Sequence, residues 1–162
     1  MSIDVQQPRP YDLVADTIHV AGMAGEAFEA NYEYEITEGH DHVTGHFMAG
    51  DGVGGHGQFQ VAVDTSGAGF TLPSATLHVF HSSAEDGSRL DEVVVPIVLG
   101  SRIVPGYSVY DAYVVQSGDT LWAIADRAFG DGAQYPRLVA ANPHTITDPD
   151  HIDVGQIVRI PR

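Results

Sequence analysis

The chain of 162 residues carries 22 acidic and 7 basic side chains, no cysteine and a formal charge of −15 at neutral pH. So acidic a surface repels phosphate backbones and anionic headgroups, which excludes nucleic acid and membrane insertion as expected partnerships. The missing cysteines exclude disulfide staples and thiolate metal sites. The acid is unevenly spread, with 16 acidic and 3 basic residues up to Asp111 against 6 and 4 from Ala112 onward. That shift predicts two modules. The first residues lack the basic and apolar regions of a secretory leader, and no stretch reaches the roughly 18 apolar residues of a membrane span. As written the chain reads as cytoplasmic, and as envelope-associated only if exported.

The first two-thirds alternates with period two. Over residues 28–36, Phe28, Ala30, Tyr32, Tyr34 and Ile36 share one face, while Glu29, Asn31, Glu33 and Glu35 share the other, which predicts an antiparallel strand with one solvated, acidic side. Residues 17–21, 58–63, 75–80 and 92–99 read as further strands, separated by glycine-rich breaks at 50–57 and 66–69. Pro96, without an amide donor, predicts a sheet edge or a bulge. About seven short strands and no helical period predict a two-sheet sandwich of immunoglobulin type, held by apolar packing alone.

His40, Asp41, His42 and His46 are the best metal candidates by residue type, since imidazole and carboxylate suit zinc or nickel; the simpler expectation is solvated loop histidines around Gly45. His78 and His81, three apart on a strand, point to opposite faces and do not form a pair. No nucleophile elbow, zinc-protease helix or phosphate loop occurs, and the chain has no lysine. The sequence therefore predicts no enzyme and no cofactor.

The runs Gly22-Met23-Ala24, Ala27-Phe28-Glu29-Ala30, Gly57-Gln58-Phe59, Asp86-Gly87-Ser88 and Val94-Val95-Pro96-Ile97 resemble the Gmad2 family of immunoglobulin-like domains from bacterial spore-germination and envelope proteins. The resemblance covers residues 3–99 and implies an accessory or protein-interaction module. It carries no catalytic residues.

After the turn signal Pro105-Gly106 the period changes. Residues 113–115 form a strand, and Asp119 or Thr120 caps a helix carrying Leu121, Ile124, Ala125 and Ala128 at helical spacing. Residues 130–132 stop it, Pro136 opens a second helix that ends at Asn142-Pro143, and residues 157–160 form a closing strand. The string Tyr113-Val114-Val115-Gln116-Ser117-Gly118-Asp119-Thr120-Leu121-Trp122, followed by Ala141-Asn142-Pro143 and Val154-Gly155-Gln156, resembles a LysM domain in order and spacing. This resemblance implies a βααβ fold and non-catalytic binding of peptidoglycan or other N-acetylglucosamine oligomers. Carried over by position, it nominates Gly118, Asp119, Thr120 and Leu121 on one loop, with Asn142, Pro143 and Ile146 opposite. Trp122 reads equally as a stacking platform or as packing.

The expected division is 1–100 for the sandwich, 101–111 for a linker and 112–162 for the LysM domain. Two departures from the family pattern stand out: a long loop over 143–153, and Val154 where proline usually precedes Gly-Gln. The Asp-Pro-Asp loop is also similar to the LysM module of a cytosolic potassium-binding protein. The alternative expectation is thus a cytosolic acidic scaffold or ion-responsive protein that uses LysM for assembly.

Overall fold

Alternating apolar rows need a second surface to cover them, and here two sheets supply it for each other. In the computed structural model, which describes residues 3–25, 31–50 and 56–162, eight strands precede residue 100. They are β1 (Ile3–Gln7), β2 (Asp12–Val14), β3 (Thr17–Ala24), β4 (Asn31–Thr37), β5 (His42–Met48), β6 (Gly57–Asp64), β7 (Ser74–Ser82) and β8 (Arg89–Leu99). One sheet has the order β1-β3-β6 and the other β2-β8-β7-β4-β5. Ile18, Val20, Phe59 and Val63 from the first sheet share one core with Tyr32, Ile36, Phe47, Leu77, Val79 and Ile97 from the second. Each such side chain contributes about 1.5–3 kcal/mol on burial, and the sandwich holds no disulfide. This is the immunoglobulin-like sandwich that the alternation predicts. Positions 28–30 of the expected strand and glycines 52, 54 and 55 lie outside the described residues.

Two expectations need correction. Pro96 does not mark an edge, because β8 is flanked by β7 on one side and β2 on the other. The parallel β2 pairing begins only at Ile97, and the Pro96 carbonyl points to that side, where it accepts the Tyr11 amide at 2.7 Å. The donor that proline lacks thus falls just before the ladder starts. The histidine-rich segment, in turn, is a strand and not a loop: β5 pairs with β4 over its whole length. Its glycine is what a neighbour needs, since a Cβ on Gly45 would lie 2.3 Å from the hydroxyl of Tyr34, its cross-strand partner.

The C-terminal module folds as the change of period predicts. β9 (Tyr110–Val114) pairs antiparallel with β10 (Ile157–Pro161), and between them lie α1 (Leu121–Phe129) and α2 (Tyr135–Ala141). Helix α1 starts at Thr120, whose hydroxyl accepts the Ala123 amide at 3.1 Å, and stops at Gly130 in the left-handed conformation (φ 74°). Val115, Leu121, Ile124, Ala125, Leu138, Ile146, Val158 and Ile160 form a separate small core. Asn142 closes it: its amide donates to the carbonyls of Leu138 (2.7 Å) and Arg159 (2.8 Å), and its oxygen accepts the Arg159 amide (2.8 Å).

The two modules meet. Leu13, Val98 and Ile103 cluster with Ala141 of α2, and Val104, Tyr107 and Ala140 pack around them. Tyr11 sits across this seam with φ 65°, a costly conformation for a bulky residue. Its ring stacks on His144 with centroids 4.7 Å apart, and its carbonyl accepts a hydrogen bond from Arg159 Nη2 at 2.8 Å. Ser108 and Val109 donate to the carbonyl of Arg162, so the backbone ladder of β9 and β10 extends beyond the strands. No helix among the described residues is long and apolar enough to cross a membrane.

Candidate functional site

The β9–α1 turn is built around a carboxylate. Asp119 accepts the Tyr113 hydroxyl at 2.6 Å, the Gln116 amide at 2.8 Å and Arg127 Nη2 at 2.7 Å. The Tyr113 hydroxyl foremost, then the Gln116 amide, holds its carboxyl below the usual carboxylate range. Asp119 therefore braces the turn, while Thr120 does the capping. With the Ala123 amide taken by Thr120, helix geometry leaves the amides of Leu121 and Trp122 without an intrahelical acceptor.

These amides stand at the edge of a cleft of about 290 Å³ lined by Asp119, Thr120, Leu121, Trp122, Tyr135 and residues 149–152. The opposite wall is Pro149-Asp150-His151-Ile152, and its loop is tied down. Asp148 Oδ1 accepts the Asp150 amide at 3.0 Å, while Gln156 accepts the Asp153 amide and donates to the Thr145 carbonyl. Trp122, which also lines the cleft, stands 57% exposed. Backbone donors, a flat aromatic surface and a polar far wall are what an amide-bearing sugar requires: hydrogen bonds for its polar groups and a shelf for its methyl and ring carbons.

Of the nominated residues, the structure brings Asp119, Thr120 and Leu121 to this cleft, with exposed Gly118 in the same turn. It does not bring Asn142, Pro143 or Ile146 there. Asn142 is 1% exposed and committed to the clamp described above, and Ile146 is 3% exposed in the small core. Pro143 lines a different cleft with Tyr11, Leu72 and Pro96. The physical reason is burial: Asn142 and Ile146 belong to the small core, and in the long loop it is residues 149–152 that line the cleft. Leu121 is itself 3% exposed and belongs to the small core. Tyr135 and the 149–152 wall are not among the positions the sequence nominates; the unusual Asp-Pro-Asp-His run is their one signal.

His42 and His46 lie on the exposed face of β5 opposite Thr37 and Glu33, with His40 in the preceding bend. Among the described residues no three His, Cys, Asp or Glu side chains converge as a metal site would require. His78 pairs with Glu92 at 3.0 Å and His81 with Asp91 at 3.2 Å, on either side of an irregularity in the β7–β8 register.

An immunoglobulin-like sandwich joined to a βααβ unit with a helix-end groove thus defines a two-module protein. The profile of the Gmad2 family, an immunoglobulin-like domain of bacterial spore germination, matches residues 2–88, more than half of the chain, and the chain belongs to that family. Residues 113–161 match the LysM domain. Both are non-catalytic domain families, and LysM domains bind glycans containing N-acetylglucosamine, such as peptidoglycan. Among curated proteins the chain is similar to an esterase of Mycobacterium tuberculosis, found in two strains, with 47% identity over 63 residues. That covers 38% of this chain and 13% of the esterase. It is also similar to the potassium binding protein Kbp of Escherichia coli O6:H1, 43% identical over 49 residues, or 30% of this chain and 33% of that protein. The chain therefore spans only a small share of either relative. No solved structure matches.

Proposed function

We propose that this protein is a non-catalytic binder of peptidoglycan or other N-acetylglucosamine oligomers, and that the groove between the β9–α1 turn and residues 149–152 holds the glycan. The observation that carries this reading is the cleft itself, lined by the start of α1 and by residues 149–152, with the half-exposed Trp122 among its lining residues. Gly118, Asp119, Thr120 and Leu121 form the near wall, with Asp119 acting by bracing the turn. In this reading the acidic sandwich, residues 1–100, meets a protein partner, and the C-terminal module, whose strand β9 begins at Tyr110, holds the sugar.

The test is retention of the full chain on protein-free peptidoglycan, with soluble N-acetylglucosamine oligomers as competitors. Retention that the oligomers displace, and that Thr120→Arg abolishes by filling the cleft, is the expected result. A folded protein that stays in solution refutes the reading. The relative named for potassium binding then makes a cytosolic, ion-responsive scaffold the reading to pursue, by measuring the melting temperature in potassium against sodium.

A further inference from the structure

Where the five-stranded sheet meets the C-terminal module there is a second cleft, of about 420 Å³. Part of its lining is a row across three strands: Thr37 of β4 pairs with Thr76 of β7, which pairs with Pro96 of β8. Their sequence neighbours Ile36, Leu77 and Val95 are in the core, so this row lies on the outer face. It carries no charge, whereas the next row on that face holds Glu35 and His78. Leu72 of the sandwich and Pro143 of the other module line the same cleft, with Tyr11 at the seam. Leu72 is 46% exposed, although Phe70 just before it is buried in the core. It is nonetheless held in place. Glu38 accepts the Leu72 amide at 2.6 Å and the Thr71 amide at 2.8 Å, and the Pro73 carbonyl accepts the Leu99 amide at 2.7 Å. Tyr11 is fixed by its stack on His144 and by the Arg159 bond to its carbonyl. The cleft is therefore preformed.

Its electrostatics have one sign. Glu38 is the one charged side chain among the described residues that line it, and the Leu72 amide foremost holds its carboxyl below the usual carboxylate range. Asp41 belongs to the same turn. The nearest arginines are already engaged: Arg89 by Glu35 and Glu92, Arg159 by the Tyr11 carbonyl. We infer that this cleft is where the sandwich meets its protein partner, and that the partner inserts an aromatic side chain flanked by lysine or arginine. This rests on the reading of the sandwich as a protein-interaction module. An anchor leaving water for the apolar lining supplies affinity, and the acidic surroundings select the charge beside it. The same charge opposes a second copy of this chain, since each sandwich brings 16 acidic residues against 3 basic ones up to Asp111.

The experiment titrates the full chain with three capped pentapeptides, Lys-Lys-Phe-Lys-Lys, Lys-Lys-Ser-Lys-Lys and Glu-Glu-Phe-Glu-Glu, by calorimetry and by amide chemical shifts. The first binds about tenfold more tightly than the second, as burial of one apolar anchor implies, and moves the amides of Gly39, Leu72 and Thr76. The acidic peptide is weaker than the first by about tenfold or more. Leu72→Ser and, separately, Thr76→Arg weaken the first peptide by about fivefold while melting temperature and retention on peptidoglycan stay those of the parent. Equal affinity for the phenylalanine and serine peptides, or binding unchanged in both folded variants, overturns the cleft. Shifts centred elsewhere on the sandwich overturn it too, but leave a protein-interaction module standing. Leu72 and Thr76 shifts that follow protein concentration without peptide make the occupant a second copy and overturn the basic partner. Failure of all three peptides to bind overturns both the cleft and the partner's chemistry, and the glycan groove is judged separately by the peptidoglycan assay.

Discussion

Replacing Asn142 with alanine separates a structural clamp from a sugar contact. Three hydrogen bonds link this buried side chain to Leu138 and Arg159, and the variant leaves two carbonyls and one amide facing each other without partners. At about 1 kcal/mol net for each bond, the cost is about 3 kcal/mol, and more if water does not enter to replace them. Urea unfolding monitored by Trp122 emission reports on the C-terminal module alone, because no other tryptophan exists. With a denaturant slope of about 1.5 kcal/mol per molar, the midpoint falls by about 2 M. Val154→Ala, at a side chain 70% exposed, is the control and changes stability by no more than about 0.5 kcal/mol. A midpoint within about 0.5 M of the parent refutes the clamp. Unchanged stability with lost retention on peptidoglycan would return Asn142 to the groove.

Gly45→Ala drives a Cβ toward the Tyr34 hydroxyl and destabilises the sandwich by about 1–3 kcal/mol; thermal melting by circular dichroism measures this, and Tyr34→Leu in the same chain recovers some of the loss. Asp119 is depressed below the ordinary carboxylate range by its donors, so it binds protons less readily folded than unfolded. Its contribution is complete above about pH 5 and is lost as pH falls through the folded value. An acid titration of Trp122 emission is consequently steeper for the parent than for Asp119→Asn, and identical profiles refute the assignment. Leu13→Ala, at the seam between the two modules, costs about 2–4 kcal/mol and splits one calorimetric transition into two. A parent protein that already melts in two separate steps contradicts a cohesive seam.

The C-terminal fold is legible in the sequence because its signals are local. Thr120, Gly130 and Pro136 punctuate the helices within a few residues of where they stand, and Leu121, Ile124 and Leu138 keep the helical period. The groove is half legible for the same reason: its near wall is a turn of fixed chemistry, whereas its far wall depends on where a long loop lands. Gln156 pins that loop to Thr145 across 11 positions, a contact no local pattern announces. In the sandwich, β5 is hidden because its inward row, Val43, Gly45 and Phe47, is broken at the position that Tyr34 fills. β1 and β2 escape the pattern through their brevity and the prolines at 8 and 10 that separate them. Pro96 misleads because a missing donor marks an edge only when nothing pairs beyond it, and β2 begins one residue later.

The seam at Tyr11 bears on the geometry of capture. A module on a slack tether explores many headings while its ligand is held, and the rest of the chain swings freely behind it. Here the stacked ring, the Arg159 bond and the apolar cluster behind them hold the C-terminal module to a single heading relative to the sandwich. A glycan lying in the groove would therefore also orient the acidic sheets behind it, turning the same outer face away each time.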